Sequence, residues 1–306
     1  MNLSVQLAPK NKRGLHLANP VMTSSGTFGY GIEYEPIFDI HKLGAIVCKG
    51  TTLEPREGNP QPRITETPSG MLNAIGFQNI GVKALIKEKA PVWAKWRVPV
   101  IVNITGNTVE DFARLAGELE GVSGVSAIEI NISCPNIKAG GAAFGTDPAA
   151  AASVISAVRA VTSLPLLVKM TQTSNIASVA MAAAKAGADA LTVINTIKGM
   201  AIDITRRKPL LGNITGGLSG PAIKPVALSQ VYDVAGAVDI PVVGSGGITS
   251  GRAAIEFVIA GASAVQVGSA NLTTPGAPLR VLEEIGEFMR QEGIESLDEI
   301  RGAARR

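Results

Sequence analysis

Apolar residues in this chain gather into short runs that recur at intervals, each ending at a polar or glycine position. The runs are NPVMTSSG (19–26), LGAIVCKG (43–50), VPVIVNITG (98–106), VSAIEINIS (125–133), LPLLVKMT (164–171), ADALTVINT (188–196), IPVVGSGG (240–247) and ASAVQVGSA (262–270). Runs this short, rich in Val, Ile, Leu and Ala, predict parallel strands buried on both faces. Helical patterns lie between them. TVEDFARLAGELEG (108–121) spaces Val109, Phe112, Leu115 and Leu119 three or four apart and carries acids in its first turn. DPAAAASVISAVRAVT (147–162) opens on an Asp-Pro start signal, and NIASVAMAAAKAGADA (175–190) and SGRAAIEFVIAGASA (250–264) both stop at Ala-Gly-Ala.

Eight strands alternating with helices over roughly 250 residues predict an α/β fold, a (β/α)8 TIM barrel, in preference to an open sheet. Three segments stand outside the repeat. Residues 3–17 alternate with period two around PKNKRG and predict an N-terminal β-hairpin placed to plug the barrel bottom. Residues 51–97 after the second strand and 197–221 after the sixth are long insertions on the C-terminal face. Nothing resembles a linker, so residues 1–306 are expected to form a single domain.

Composition narrows the function. The net charge is +3 with basic residues scattered, which gives no footprint for nucleic acid. Two cysteines (Cys48, Cys134) and two histidines (His16, His41) offer no metal-ligand spacing, so no metal site is expected. The N-terminus lacks a signal-peptide apolar core, and no run is long enough to span a bilayer. A cytoplasmic protein is the expectation.

The strand ends carry the candidate chemistry, because in barrel enzymes reacting groups sit at the C-terminal ends of the strands. Here those ends hold Ser25, Lys49, Asn103, Asn131, Lys169 and Asn195 with Thr196, then Gly246–Gly247 and Gly268–Ser269. Lys49 and Lys169 each follow an apolar strand. Each ammonium must then reach water, an anion or a strongly polar ligand; a lysine snorkelling at a strand end is the plain alternative. The glycines closing the seventh and eighth strands lie where barrels present backbone N–H groups to phosphate. No GxGxxG follows the first strand, so a Rossmann nicotinamide site is not indicated.

Cys48, apolar on both sides, is expected to be a buried structural thiol. Cys134 instead follows Asn131 in a polar loop, and with no histidine nearby in sequence it points to proton transfer rather than acyl transfer. The small-residue stretch KAGGAAFGTD (138–147) suits a lid over it, or simply a flexible connector.

NISCPN, MLNAIGFQN, VCKGTTLEPREGNPQPR, INT and NITGGLSGPAIKP together resemble the class 1 dihydroorotate dehydrogenases, most closely the subclass B catalytic subunits, over nearly the whole chain. The resemblance implies an FMN-binding barrel, one FMN per chain, that oxidises (S)-dihydroorotate to orotate in pyrimidine synthesis. It makes Cys134 the base that removes the C5 proton while the C6 hydride passes to flavin N5. It assigns substrate contacts to Lys49, Asn73, Ala74, Ile75, Gly76, Phe77, Asn131, Asn195 and Thr196. It assigns FMN contacts to Ser25, Lys49, Gly50, Asn103, Asn131, Lys169, Ile194, Gly220, Gly246, Gly247, Gly268 and Ser269, with Lys169 beside the flavin N1/O2 edge. It also implies a homodimer within a heterotetramer, whose second subunit carries FAD and an iron–sulfur cluster and passes electrons to NAD+. Two departures are visible: Met170-Thr171-Gln172 stands where the family has Leu-Ser-Pro, and Phe77 stands where it has Leu. A dihydropyrimidine dehydrogenase-like catalytic unit acting on dihydrouracil or dihydrothymine, and a non-catalytic flavin scaffold in an electron-transfer complex, remain the alternatives.

Overall fold

The structure is a computed structural model that describes residues 1–133, 135–136 and 142–305, those at 135–136 and 142–143 by backbone alone. Each of the eight expected apolar runs contains a strand of one parallel sheet: β1 (Val21–Thr23), β2 (Ile46–Val47), β3 (Val100–Ile104), β4 (Ala127–Asn131), β5 (Leu166–Lys169), β6 (Ala190–Val193), β7 (Val242–Ser245) and β8 (Ala264–Val267). The sheet runs β1-β8-β7-β6-β5-β4-β3-β2. It closes through a parallel bridge between Met22 and Ala45, with Gly44 N donating to Val21 O at 2.8 Å. The fold is therefore the (β/α)8 barrel that the runs predict.

The helices α1 (Gly81–Glu88), α2 (Val109–Leu119), α3 (Pro148–Arg159), α4 (Ile176–Lys185), α5 (Lys224–Ala235), α6 (Gly251–Ala260) and α7 (Ala277–Glu292) follow β2 to β8 in turn. Local chemistry sets their ends. Thr108 and Asp111 form a reciprocal capping box at α2, and the Asp147 carboxylate caps α3 ahead of Pro148. The first crossover departs from the expected alternation. Between β1 and β2 there are only two single 3-10 turns, Ile32–Tyr34 and Ile40–Lys42, because Gly26, Gly29 and Gly31 take positive φ and interrupt any helical path. Phe28 stacks on Tyr34 and, with Ile40, Leu43, Ile46 and Val98, forms a small cluster that covers this side of the barrel.

The expected insertion at 51–97 also needs trimming, since its second half supplies α1. What remains joins the 197–221 insertion in one antiparallel sheet over the barrel mouth. Its strands lie in the order Ile197–Gly199, Gly216–Ser219, Gly70–Asn73, Ile64–Thr67, with Leu72 opposite Leu218.

At the other end the N-terminal hairpin forms as expected, Val5–Gln6 pairing with His16–Leu17. Its Val5, Leu7, Ala8, Leu15 and Leu17 pack against Met22, Ala45, Val47, Ile101, Ala127, Leu167, Ala190, Val243 and Ala264, the lowest inward positions of the eight strands. The hairpin is the plug of the barrel bottom. Both histidines sit away from the mouth: His16 Nδ1 lies 3.2 Å from Val5 O, and His41 meets the Trp96 ring edge-on.

Side chains alternate across each strand. Ile128 and Ile130 of β4 face the helices, while Ala127 joins the plug layer. One inward step higher the same strands present Asn103, Glu129, Lys169, Thr192, Ser245 and Gln266, all buried and all polar. The barrel interior thus changes from apolar to polar within two residues of each strand.

Candidate functional site

Above the polar layer the barrel opens into a cavity of about 870 Å³, roofed on one side by the insertion sheet. Every described residue singled out from the sequence lines it: Ser25, Lys49, Gly50, Asn73, Ala74, Ile75, Gly76, Phe77, Asn103, Asn131, Lys169, Ile194, Asn195, Thr196, Gly220, Gly246, Gly247, Gly268 and Ser269. Cys134 lies outside the described residues, as do residue 137 and the segment 138–141 of the expected lid. The part of the lid region that follows is fixed: Pro135–Asn136 pairs with Ala142–Ala143, and Phe144 is buried edge-on against Phe112.

The two lysines differ. Lys169 does not snorkel to water. Its ammonium is buried at the cavity floor, donating to Ser24 Oγ at 3.0 Å and Gln266 Oε1 at 3.2 Å. Burial pushes its pKa below the ordinary lysine value, and the nearby charge of Glu129 works against that. Lys49 stands half-buried on the wall, its pKa also lowered mainly by burial, with Glu33 opposing and Arg63 adding to the shift. One lysine is built into the floor, and the other faces whatever enters.

Asparagines form the side walls. Asn131 Oδ1 accepts from Ser133 N at 3.2 Å and from Asn195 Nδ2 at 3.3 Å, and Asn195 Nδ2 also donates to Ser133 Oγ at 3.0 Å. Thr171 Oγ1 donates to the same Ser133 Oγ at 2.7 Å. The chain is therefore held by the ends of β5 and β6 up to the residue before Cys134. Asn103 donates through Nδ2 to Glu129, while its Oδ1 is buried at the cavity edge without a protein partner.

The segment from Asn73 to Phe77 closes one side. Ala74 N donates to Arg63 O at 2.7 Å, and Asn59 binds both Ile75 O and Ala74 O, at 3.0 and 3.1 Å. Phe77 has φ 55°, a left-handed backbone that costs a non-glycine residue roughly 1–2 kcal/mol. Asn79 holds it there, donating to Phe77 O at 2.7 Å and to Thr52 Oγ1 at 2.8 Å. Opposite, Gly246 and Gly247 have φ 127° and 74°. A Cβ on Gly247 would lie 2.8 Å from Gly220 O, so close packing and the positive φ both call for glycine here.

Several lining or supporting groups are not among those singled out from the sequence: Ser24, Ser133 and Thr171 at the surface of the cavity, and Glu129, Thr192 and Gln266 beneath it. A carboxylate and an amide in the middle of the buried runs SAIEINIS and SAVQVGSA are the available signal, because such residues are seldom buried unless paired. Among the described residues no group of three or more His, Cys, Asp and Glu side chains could hold a metal ion, and no helix is long and apolar enough to cross a membrane. A second cleft of about 610 Å³ lies by the plug, lined by Lys10, Arg13, Arg159 and Asp189 among others, and shares no residue with this set. Cys48 is buried beside the mouth, its thiol pushed up to about 12 by burial, as expected of a structural cysteine.

Comparison with known proteins agrees with this geometry. The family model described as dihydroorotate dehydrogenase matches residues 8–289. A protein of Desulforudis audaxviator called dihydroorotate dehydrogenase B (NAD(+)), catalytic subunit, is 54% identical over 294 residues, 96% of this chain and 96% of its own length. Proteins of the same name from Pelobacter propionicus and Geobacter sulfurreducens are 53% and 52% identical, covering 96% and 99% of this chain and 97% and 98% of their own lengths.

Proposed function

The chain belongs to the dihydroorotate dehydrogenase family, and from that premise we propose that it is the FMN-dependent catalytic unit that oxidises (S)-dihydroorotate to orotate in pyrimidine synthesis. The observation that carries the reading is the cavity at the barrel mouth, lined by every described residue that the resemblance assigns to substrate or flavin. Its chemistry fits FMN. The unpartnered Asn103 Oδ1 can accept from a ring N–H, and the buried Lys169 ammonium can meet ring acceptors. The Gly246–Gly247 turn, which lines the cavity in positive-φ conformations, can cradle a phosphate with its backbone N–H groups. Ser25, Lys49, Gly50, Asn131, Ile194, Gly220, Gly268 and Ser269 complete the proposed flavin set.

FMN, when bound, supplies the two-electron acceptor for the hydride that leaves C6 of the substrate. The chain's own groups do the rest. Lys49, half-desolvated on the wall, binds the substrate carboxylate, where a lowered dielectric strengthens the attraction. Asn73, Asn131 and Asn195 each offer a donor and an acceptor to the imide edge, and Thr196 and the backbone from Ala74 to Phe77 enclose it. Cys134 takes the C5 proton as thiolate while the C5=C6 double bond forms. Lys169 places positive charge under the flavin pocket and opposes the negative charge that reduction brings there.

The named relatives are catalytic subunits linked to NAD(+). We read this chain likewise as one FMN-binding unit, residues 1–306, working as a homodimer with an electron-transfer subunit that carries FAD and iron–sulfur and delivers electrons to NAD+. The test is anaerobic. FMN-loaded protein is mixed with dihydroorotate or with dihydrouracil and the flavin band is followed. Bleaching by dihydroorotate at least tenfold faster than by dihydrouracil is the expected result. The reverse order would assign the chain to dihydropyrimidine oxidation, and no bleaching by either would leave only a flavin scaffold. Cys134→Ser should slow the bleaching by two orders of magnitude or more near neutral pH with FMN still bound.

A further inference from the structure

Among the described residues with negligible exposure, Glu129 is the one carboxylate and Lys169 the one ammonium, and neither contacts the other directly. Glu129 does not line the cavity. Three donors converge on it: Asn103 Nδ2 at 2.7 Å on Oε1, and Gln266 Nε2 at 2.6 Å and Thr192 Oγ1 at 2.9 Å on Oε2. A carboxylate in its anionic form only accepts, so each amide must turn its NH2 group toward it. That leaves each amide one way round. The Gln266 oxygen is turned up to Lys169 Nζ at 3.2 Å, and the Asn103 oxygen is turned away from Glu129 and lies buried beside Gly50 of the cavity wall, without a protein partner. The register of the barrel makes the arrangement rigid: Asn103 sits opposite Glu129 across β3 and β4, and Lys169 opposite Thr192 across β5 and β6.

We propose that Glu129 is a positioning residue that sets the hydrogen-bond polarity of the flavin floor, holding an acceptor (Asn103 Oδ1) and a donor (Lys169 Nζ) toward the ring edge. The inference rests on the FMN reading given above. It explains why a buried charge stands in the one layer that separates the plug from the site. An apolar side chain there would leave three buried donors unmet, and a neutral amide there would have to donate to one of its neighbours and force that neighbour to flip. Either flip removes one of the two floor groups: an Asn103 flip shows a donor to the ring, and a Gln266 flip turns NH2 against the Lys169 ammonium.

The test compares Glu129→Gln with the exchange Glu129→Gln plus Gln266→Glu. The exchange keeps a carboxylate–amide pair across the same contact and lets the new amide oxygen at position 129 accept from Asn103. FMN binding to apo-protein is measured by fluorescence quenching, the bound flavin absorption maximum is recorded, and circular dichroism reports the fold. Glu129→Gln should raise the FMN Kd about tenfold or more, ~1.4 kcal/mol or more, and shift the flavin band. The exchange should bring both back to within about threefold of the unaltered protein. Equal FMN affinity in Glu129→Gln, or loss without recovery in a folded exchange variant, overturns the inference. If Glu129→Gln does not fold, Gln266→Met, which removes the bridge between Glu129 and Lys169 and leaves the Asn103 contact in place, should weaken FMN several-fold, and an unchanged Kd there overturns it equally. Failure of the unaltered apo-protein to bind FMN in the same titration would instead count against the flavin reading.

Discussion

The two halves of the barrel interior are one side-chain layer apart and are built on opposite principles. In the lower half, Ile101, Ala127, Leu167, Ala190, Val243 and Ala264 close on the hairpin plug as an apolar cluster. Two residues further along the same strands come Asn103, Glu129, Lys169, Thr192, Ser245 and Gln266. The lower layer contributes stability through burial of apolar surface. The upper layer buries an ammonium and a carboxylate, whose desolvation is costly and is at best offset by their hydrogen bonds. In the proposed function such a layer is accounted for by what it presents to the flavin. Fold and site can therefore share every strand yet occupy separate inward positions, so that a substitution in one need not disturb the other.

That separation can be attacked at several points. The largest effect belongs to the plug. Leu17→Ala, at a fully buried position, should cost about 2–5 kcal/mol in denaturant unfolding of the apo-protein, while FMN affinity per folded molecule stays the same. A matching loss of FMN affinity would mean that the layers are coupled. Cys48 comes next, lying in sequence between Val47 of the plug layer and Lys49 of the site. Its thiol is pushed up to about 12 in the folded chain against 9.0 ordinarily, so above pH 9 the unfolded state loses a proton that the folded state keeps. Stability should therefore fall from about pH 9 toward pH 12, by on the order of 2 kcal/mol near pH 10.5. Cys48→Val should flatten that fall in alkaline melts, and an unchanged slope would show that another group is responsible.

The smallest effect concerns the clasp between the plug and the barrel. Glu120 accepts from Thr162 and Ser163 and pairs with Arg13 of the hairpin at 2.6 Å, contacts that hold its carboxyl down to about 2. A lowered carboxyl pKa contributes stability that is present above about pH 4.5 and is lost as pH falls toward 2. Since Glu120 is partly exposed, the contribution should stay below about 1 kcal/mol. Glu120→Gln should remove it from acid titrations of stability, and leave FMN binding untouched.

Much of the fold is legible because it is written in short range. Eight apolar runs mark the eight strands, Thr108 with Asp111 and Asp147 with Pro148 mark helix starts, and period two marks the plug. The first crossover breaks the strand–helix alternation, because its glycines act through positive φ values that periodicity does not display. The roof of the site is hidden for another reason. It pairs Leu72 with Leu218, and contacts that distant in sequence leave no local pattern. That the strand-end residues line one cavity is legible from position and from family resemblance together. The layer beneath them is harder to read, since Glu129, Thr192 and Gln266 each stand singly inside runs that are mostly apolar when both faces are read together. Reading alternate residues alone exposes two of them: Ala127, Glu129, Asn131 on β4, and Ala264 and Gln266 on β8 with Gly268 just past its end.

The most direct measurement pairs FMN titration with denaturant unfolding of the apo-protein in Lys169→Met. This substitution removes the buried ammonium at the boundary of the two layers and keeps most of the side chain's length. With the polar layer built for the ligand, the FMN Kd should rise about a hundredfold or more, roughly 2.7 kcal/mol, while the apo-protein unfolds at the same or a higher denaturant concentration. An apo-protein weakened by several kcal/mol that still binds FMN normally would contradict it, and would make Lys169 a structural residue of the barrel.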